Sequence, residues 1–135
     1  MFFGKSCEYR VVSELLSHNL DVYIPIVDDK GIDCIIRKED GRHIDLQIKG
    51  RKPTWIFNIS KFKPRDNYYF ALIALDKKIY VVPSSLLSKW LDGKKKITLS
   101  QEKRVELQQY TEQKDYALEE LRSVLTDCLT AKTVV

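Results

Sequence analysis

The sequence predicts an α/β fold in which a central mixed β-sheet is flanked by helices on both faces. Apolar side chains recur at helical spacing near the start of the chain, as Val11 and Leu15 do. Between 21 and 82, short segments alternate apolar and polar residues and are separated by turn residues, which is typical of strands. Leucines recur at helical spacing over 112–129, which predicts a packing helix. Helix, strands and helices in this order indicate a sheet covered on two sides.

The first helix is expected over 5–18, where Ser6 is able to cap its start. Six strands are then expected, each bounded by turn residues. They lie at 21–26, 32–37, 43–49, 55–59, 68–75 and 79–82. The second and third strands form a hairpin, because Glu39-Asp40-Gly41 between them is a strong turn signal.

A second helix is expected after the last strand, with Ser84 or Ser85 as its cap and Leu91 near its end. The lysine run Lys94-Lys95-Lys96 then reads as a connection. The chain would end in the leucine-containing helix over 112–129.

The length of 135 residues, with 44% hydrophobic residues, suits one domain that buries a real core. We predict a single domain over 1–135, with a core at about 4–92 and a C-terminal helical packing segment at about 100–130. A disordered or fibrous chain is excluded, because such chains lack this apolar content.

Several features favour a cytoplasmic protein. The longest nearly pure apolar run, 69–75, is far shorter than the roughly 20 residues that a membrane-spanning helix needs. The N-terminus shows no basic stretch followed by an apolar core, so no secretory signal is expected. Cys7, Cys34 and Cys128 are odd in number and far apart, which disfavours a disulfide framework or a zinc knuckle and suits a reducing cytosol.

The positive charge is concentrated in the middle of the chain. The net charge of +4 averages a segment over 37–65, with nine Lys or Arg and three acids, and a remainder with 14 basic and 16 acidic residues. A clustered basic face is typical of a phosphate-binding surface. A solvated lysine-rich face with no partner explains the charge alone equally well.

Strand parity groups polar side chains in the third predicted strand. Over 43–49, the isoleucines and the leucine share one face, and Asp45, Gln47 and Lys49 share the other. In the preceding strand, Asp33 begins an otherwise apolar segment. An unpaired buried charge is very costly, so Asp33 needs a partner, which is either a divalent cation or Lys49.

A third acid, Glu8, shares the apolar face of the first helix with Val12 and Leu15. It is either an acid of the first helical turn, which stabilises a helix N-terminus, or part of a site. The presence of Asp33 and of the Gln47-Lys49 pair favours the site.

Together, Glu8, Asp33, Gln47 and Lys49 resemble the PD-(D/E)XK nuclease superfamily, which has a restriction-endonuclease-like fold with a three-layer core around a mixed sheet. The resemblance covers roughly 4–83. It is greatest to small archaeal Holliday-junction resolvases and to prokaryotic endonuclease-like proteins of unassigned role.

The sequence departs from this family at two positions. Ile32 stands where the family has the proline that names it, which matters little chemically. Gln47 stands where the family usually has a second acid, and it removes one negative charge from the metal site.

The resemblance implies a metal-dependent DNA endonuclease that hydrolyses phosphodiester bonds. Asp33, the side-chain oxygen of Gln47 and the backbone carbonyl of Ile48 would hold Mg²⁺, for which Mn²⁺ can substitute. Glu8 would bind a second metal ion or its waters. Lys49 would orient or deprotonate the attacking water and stabilise the developing charge.

DNA, branched or duplex, is the expected partner, and no organic cofactor is expected. Five basic residues on or after the motif are expected to contact its phosphates. They are Arg51, Lys52, Lys61, Lys63 and Arg65. A homodimer is expected, because one chain offers one site and cutting both strands calls for two. Two alternatives stay open: a DNA-binding module whose nuclease site is lost through Gln47, and cleavage of RNA.

Overall fold

The computed structural model describes residues 2–26, 31–50, 54–76 and 78–112. Three helices and seven strands lie within these residues. In chain order they are α1 (Phe2–Ser17), β1 (Asp21–Tyr23), β2 (Cys34–Arg37), β3 (His43–Gly50), β4 (Ile56–Asn58), β5 (Tyr68–Ile73), β6 (Ile79–Pro83), α2 (Ser84–Leu91), β7 (Lys96–Thr98) and α3 (Gln101–Thr111). None of the helices in this part of the chain is long and apolar enough to span a membrane.

The central sheet has five strands in the spatial order β1-β2-β3-β5-β6. Strands β3 and β5 run parallel, whereas every other neighbouring pair runs antiparallel. The sheet is therefore mixed, as predicted. The hairpin of β2 and β3 is also confirmed, with Cys34 opposite Leu46 and Arg37 opposite His43.

The two faces of the sheet carry separate clusters of buried side chains. Val11 and Leu15 of α1 belong to the cluster that contains Leu46 and Ile48 of β3. The opposite cluster joins β5 and β6 to α2, α3 and a second sheet of β4 and β7. Strand alternation produces this division, because successive side chains of a strand point to opposite faces. Helices on both faces of a mixed sheet are thus confirmed.

The lysine run after α2 is not only a connection. Strand β7 begins within it at Lys96 and pairs antiparallel with β4, and Ile97 is buried opposite Phe57. A three-residue strand with one buried side chain shows no periodicity, so the sequence pattern could not reveal it.

The helix starts also differ from the expectation. α1 begins at Phe2, so Ser6 lies inside the helix and does not cap it. α3 begins at Gln101, where the side chain of Ser100 accepts the backbone N–H of Lys103. Most of the helix predicted over 112–129 lies outside the described residues.

Neither of the two serines predicted to cap α2 does so, because the N-cap position is Pro83. Ser84 is fully buried, and its hydroxyl bridges the backbone of Arg65. The Oγ atom accepts the N–H of Arg65 at 3.0 Å and donates to the C=O of Arg65 at 2.9 Å. This serine therefore joins the start of α2 to the loop before β5.

Replacing Ser84 by Ala should lower the free energy of unfolding by about 1–3 kcal/mol, because both backbone groups of Arg65 lose their partner. Ser85→Ala is the matched control, since Ser85 is the next residue and is exposed. Its effect should stay within about 0.5 kcal/mol. Urea unfolding measures both variants, and equal midpoints for the two would contradict the role of the Ser84 hydroxyl.

Candidate active site

Asp33 lies where the pairing of β2 with β3 ends. Its backbone N–H donates to the C=O of Leu46 at 2.9 Å, and its Oδ2 accepts the N–H of Ile48 at 2.6 Å. Strand β3 continues to Gly50, so the carboxylate replaces a partner strand at this point. A short hydrogen bond to a carboxylate is strong and fixes its orientation. The acid is thereby held against the segment that carries Gln47 and Lys49.

Lys49 lies on the same face of β3 as Gln47, and both side chains are half-buried. Its position in the parallel ladder is opposite Leu72 of β5. None of the ion pairs between described residues involves Lys49. The structural ion pair between Asp33 and Lys49, which the sequence left open, is therefore not formed.

A cavity of about 280 Å³ opens where α1 meets the end of the β2–β3 hairpin. Glu8, Asp33 and Ile48 line it together with apolar residues such as Val12 and Ile24. Glu8 is not an acid of the first helical turn, since α1 begins at Phe2. The explanation of Glu8 as an N-terminal stabiliser thus fails, and the acid instead shares a cavity with Asp33.

The thiol of Cys34 is close to the charged groups around this cavity. Burial raises the pKa of its thiol to about 12, and the negative charges of Asp33 and Glu8 add to the rise. Both acids therefore lie close enough to Cys34 to act on it electrostatically. The side chain of Cys34 is fully buried among apolar neighbours, so Cys34 is a core residue.

Gln47 is held by a residue that sequence analysis missed. The hydroxyl of Tyr68 donates to Oε1 of Gln47 at 2.6 Å. In the sequence, Tyr68 is one apolar position of a buried strand, and all six residues of β5 are indeed buried. Its contact with Gln47 follows from the parallel pairing of β3 with β5, which places Tyr68 opposite Asp45. No local pattern carries that information.

Of the predicted DNA contacts, Arg65 is engaged within the protein. Its guanidinium forms an ion pair with Asp45 and lies over the ring of Tyr68, 4.6 Å from the centroid. Lys61 and Lys63 are exposed in the loop before β5. Arg51 and Lys52 lie outside the described residues.

A second cavity, of about 380 Å³, joins Lys61 to two lysines that sequence analysis did not select. Lys94 and Lys95, after α2, line it with Lys61 and Phe62. Phe62 packs edge-on against Tyr68, with 6.0 Å between ring centroids, so this basic groove lies one aromatic ring from the Tyr68–Gln47 contact. The run of three lysines at 94–96 was the available signal.

The candidate ligands are all oxygen atoms. They comprise the carboxylates of Glu8 and Asp33, the amide oxygen of Gln47 and the backbone carbonyl of Ile48. Mg²⁺ prefers such ligands, so the donor set fits it chemically. Within the described residues, no three His, Cys, Asp or Glu side chains are placed to hold a metal ion together. The candidate set holds only two carboxylates, because position 47 is a glutamine.

Comparison with known proteins reveals a likeness of fold. No protein-family model matches the sequence, and no curated protein matches it either. Among solved structures, the chain is similar to a bacterial homing endonuclease, I-Ssp6803I. The TM-score is 0.58 at 14% identity, and the match covers 73% of this chain and 76% of that chain. The likeness is one of fold. The chain shares an α/β fold with a nuclease.

Gly31 provides room for Gln47. It has a φ of +73°, and a Cβ at this position would lie 3.1 Å from both Oε1 and Nε2 of Gln47. Gly41 has a similar φ of +89° but nothing within 4 Å of such a Cβ. Substitution of either glycine would strain the backbone, because both have a positive φ. Only at Gly31 would the added Cβ also crowd a side chain, that of Gln47.

Replacing Gly31 or Gly41 by Ala should lower the free energy of unfolding by about 1–2 kcal/mol in each case, because of the left-handed φ. The NMR signals of the Gln47 side-chain NH₂ should shift in Gly31→Ala alone. Unchanged Gln47 signals in Gly31→Ala would show that the amide does not pack on this glycine.

Proposed function

We propose that the protein is a cytoplasmic, metal-dependent DNA endonuclease of the PD-(D/E)XK superfamily. The observation that supports this most is the cavity shared by Glu8, Asp33 and Ile48. Ile48 lies on β3 between Gln47 and Lys49, which do not line the cavity themselves. The fold shared with a homing endonuclease is consistent with it. Charge alone did not distinguish a nuclease from a solvated basic face.

Asp33, the amide oxygen of Gln47 and the backbone carbonyl of Ile48 would hold Mg²⁺, and Glu8 would hold a second ion or its waters. A bound divalent cation lowers the pKa of its water and polarises a phosphate oxygen. The hydrogen bond from Ile48 N–H to Asp33 preorganises the carboxylate before any ligand arrives.

Lys49 would act on the attacking water and on the developing negative charge of the phosphate. Because it has no ion-pair partner among the described residues, its ammonium is available for a substrate oxygen. Such a cation in a half-buried position stabilises developing charge more strongly than one in open water.

The DNA phosphates would lie along the basic groove and along the exposed loop before β5. We propose that Lys61 and Lys63 contact them together with Lys94 and Lys95, while Arg65 supports Tyr68. Contacts of this kind fix the register of DNA without reading its sequence. The groove lies beside Phe62 and hence close to Gln47, as a shared substrate surface requires.

The double variant Lys94→Ala/Lys95→Ala should weaken DNA binding about tenfold at low salt. The slope of log K against log salt should fall by about 1–2, because one or two phosphate contacts are lost. Lys96→Ala is the matched control: Lys96 is exposed in the same run, but it does not line the groove. Equal slopes for the double variant and the wild type would remove this groove from the substrate surface.

The test of the proposed function is cleavage of labelled linear, nicked and four-way-junction DNA. We expect cutting with Mg²⁺ or Mn²⁺ and none with chelator. Preference for the junction would support structure selectivity like that of a Holliday-junction resolvase. Sedimentation equilibrium tests the proposed homodimer, and a labelled RNA duplex tests the alternative substrate.

A second candidate function is a DNA-binding module without nuclease activity. The observation that favours it is Gln47, whose amide leaves the site with two carboxylates. Under this alternative, the protein binds DNA, cuts none of the substrates in either metal, and keeps its affinity in Asp33→Asn. Metal-dependent cutting by the wild-type protein would exclude it.

A further inference from the structure

The side-chain amide of Gln47 is confined by two neighbours. Tyr68 donates its hydroxyl hydrogen to Oε1 at 2.6 Å. The amide also packs against the backbone of Gly31, where an added Cβ would lie 3.1 Å from both terminal atoms. A glutamine on an open surface has neither restraint.

Orientation matters more for an amide than for a carboxylate. The amide has one acceptor oxygen, and its NH₂ group carries only donors. Rotation by half a turn replaces the oxygen by nitrogen and presents hydrogens to any cation nearby. The two oxygens of a carboxylate are equivalent, so the same rotation changes nothing. A glutamine that acts as a cation ligand therefore needs a group that fixes its oxygen.

Tyr68 has the properties of such a group. Its side chain is buried, and the Arg65 guanidinium over its ring is itself anchored by Asp45. A phenol carries its proton near neutral pH, so the Tyr68 hydroxyl is a hydrogen-bond donor to Gln47. A carbonyl oxygen has two lone pairs, so one is left for a second partner.

We infer that Tyr68 is a positioning residue whose hydroxyl orients the Gln47 amide, so that its oxygen and not its NH₂ is offered to the cation. The inference rests on the proposed function, because the cation belongs to that site. It gives a physical reason why an amide can serve where the resembling family has an acid.

The test compares Tyr68→Phe in two backgrounds. With Gln47 present, Tyr68→Phe should raise the dissociation constant for Mn²⁺ by about tenfold, which is typical for loss of a group that orients a ligand. The constant is measured from the electron paramagnetic resonance signal of free Mn²⁺. In the Gln47→Glu background, the same change should cost no more than about twofold, because a carboxylate has no wrong orientation.

Tyr80→Phe is the matched control. Tyr80 is equally buried in a strand of the same sheet and donates to Oδ2 of Asp76 at 2.6 Å, so the variant loses a similar hydrogen bond elsewhere. Its Mn²⁺ affinity should equal that of the wild type. A readout without metal is the ¹⁵N relaxation order parameter of Nε2 in Gln47. It should fall in Tyr68→Phe and stay unchanged in Tyr80→Phe.

Equal losses of Mn²⁺ affinity in the two backgrounds would overturn the inference. So would an unchanged order parameter in Tyr68→Phe. Wild-type protein that binds no Mn²⁺ and cuts no DNA overturns the proposed function instead. The relaxation measurement then still supports or overturns the positioning of Gln47 by Tyr68, because it needs no metal.

Discussion

Replacing Asp33 by Asn should reduce metal-dependent DNA cleavage by about 10³-fold or more, the largest effect expected of any single substitution. Asn keeps the shape of the side chain and an oxygen that can accept the N–H of Ile48. It removes the negative charge that would hold the cation. Affinity for Mn²⁺ should therefore fall together with cleavage, while the free energy of unfolding changes little.

Asp33→Ala tests both roles of this carboxylate, which are to hold the cation and to accept the N–H of Ile48. It removes the charge and also leaves the N–H of Ile48 without its partner, which should cost about 1–2 kcal/mol of stability. Asp40→Asn is the control, because Asp40 also accepts a backbone N–H, from Arg42 at 3.0 Å, but lies exposed in the hairpin turn. Cleavage by Asp33→Asn within tenfold of the wild type would refute the assignment of this residue.

Replacing Lys49 by Met should lower the cleavage rate by about 10²–10³-fold and leave DNA affinity within about threefold. Met has similar length and packs where the lysine stem lies, so the change removes mainly the charge. A rate loss without an affinity loss is expected of a group that acts on the transition state and contributes little to ground-state binding.

Lys89→Met is the matched control for Lys49→Met. Lys89 is an exposed lysine on α2 that pairs with Glu106, and its loss should change neither rate nor affinity. The rate is measured in single turnover at saturating Mg²⁺, so that product release does not hide the chemical step. A Lys49→Met variant that loses affinity in proportion to rate would be a DNA-binding residue and not a catalytic one.

Much of the candidate site was predictable because it depends on local pattern. The alternation of β3 placed Gln47 and Lys49 on one face, and the burial of its residues confirms that alternation. Asp33 was selected because a charge at the start of a buried strand needs a partner. The structure supplies that partner as the N–H of Ile48, which no sequence pattern named.

The contacts that the sequence failed to predict have one physical cause. Ser84 was expected to cap α2, but its hydroxyl binds the backbone of Arg65, 19 residues away in the chain. A contact of Arg65 with DNA stays a prediction, and the contacts of Arg65 with Asp45 and with the ring of Tyr68 were not foreseen. Ser84 and Arg65 each contact a residue that is 19 or 20 positions away in the chain.

The sequence by itself determined the class of fold, most strand positions and the identity of the residues that could do chemistry. Periodicity and turn residues act over a few neighbours, so one chain segment is enough to read them. The tertiary structure decided the rest: the pairing of β3 with β5, the contact of Tyr68 with Gln47, and the groove that joins Lys61 to Lys94. These depend on strand order and on hydrogen bonds between segments far apart in the chain, and such contacts leave no local pattern.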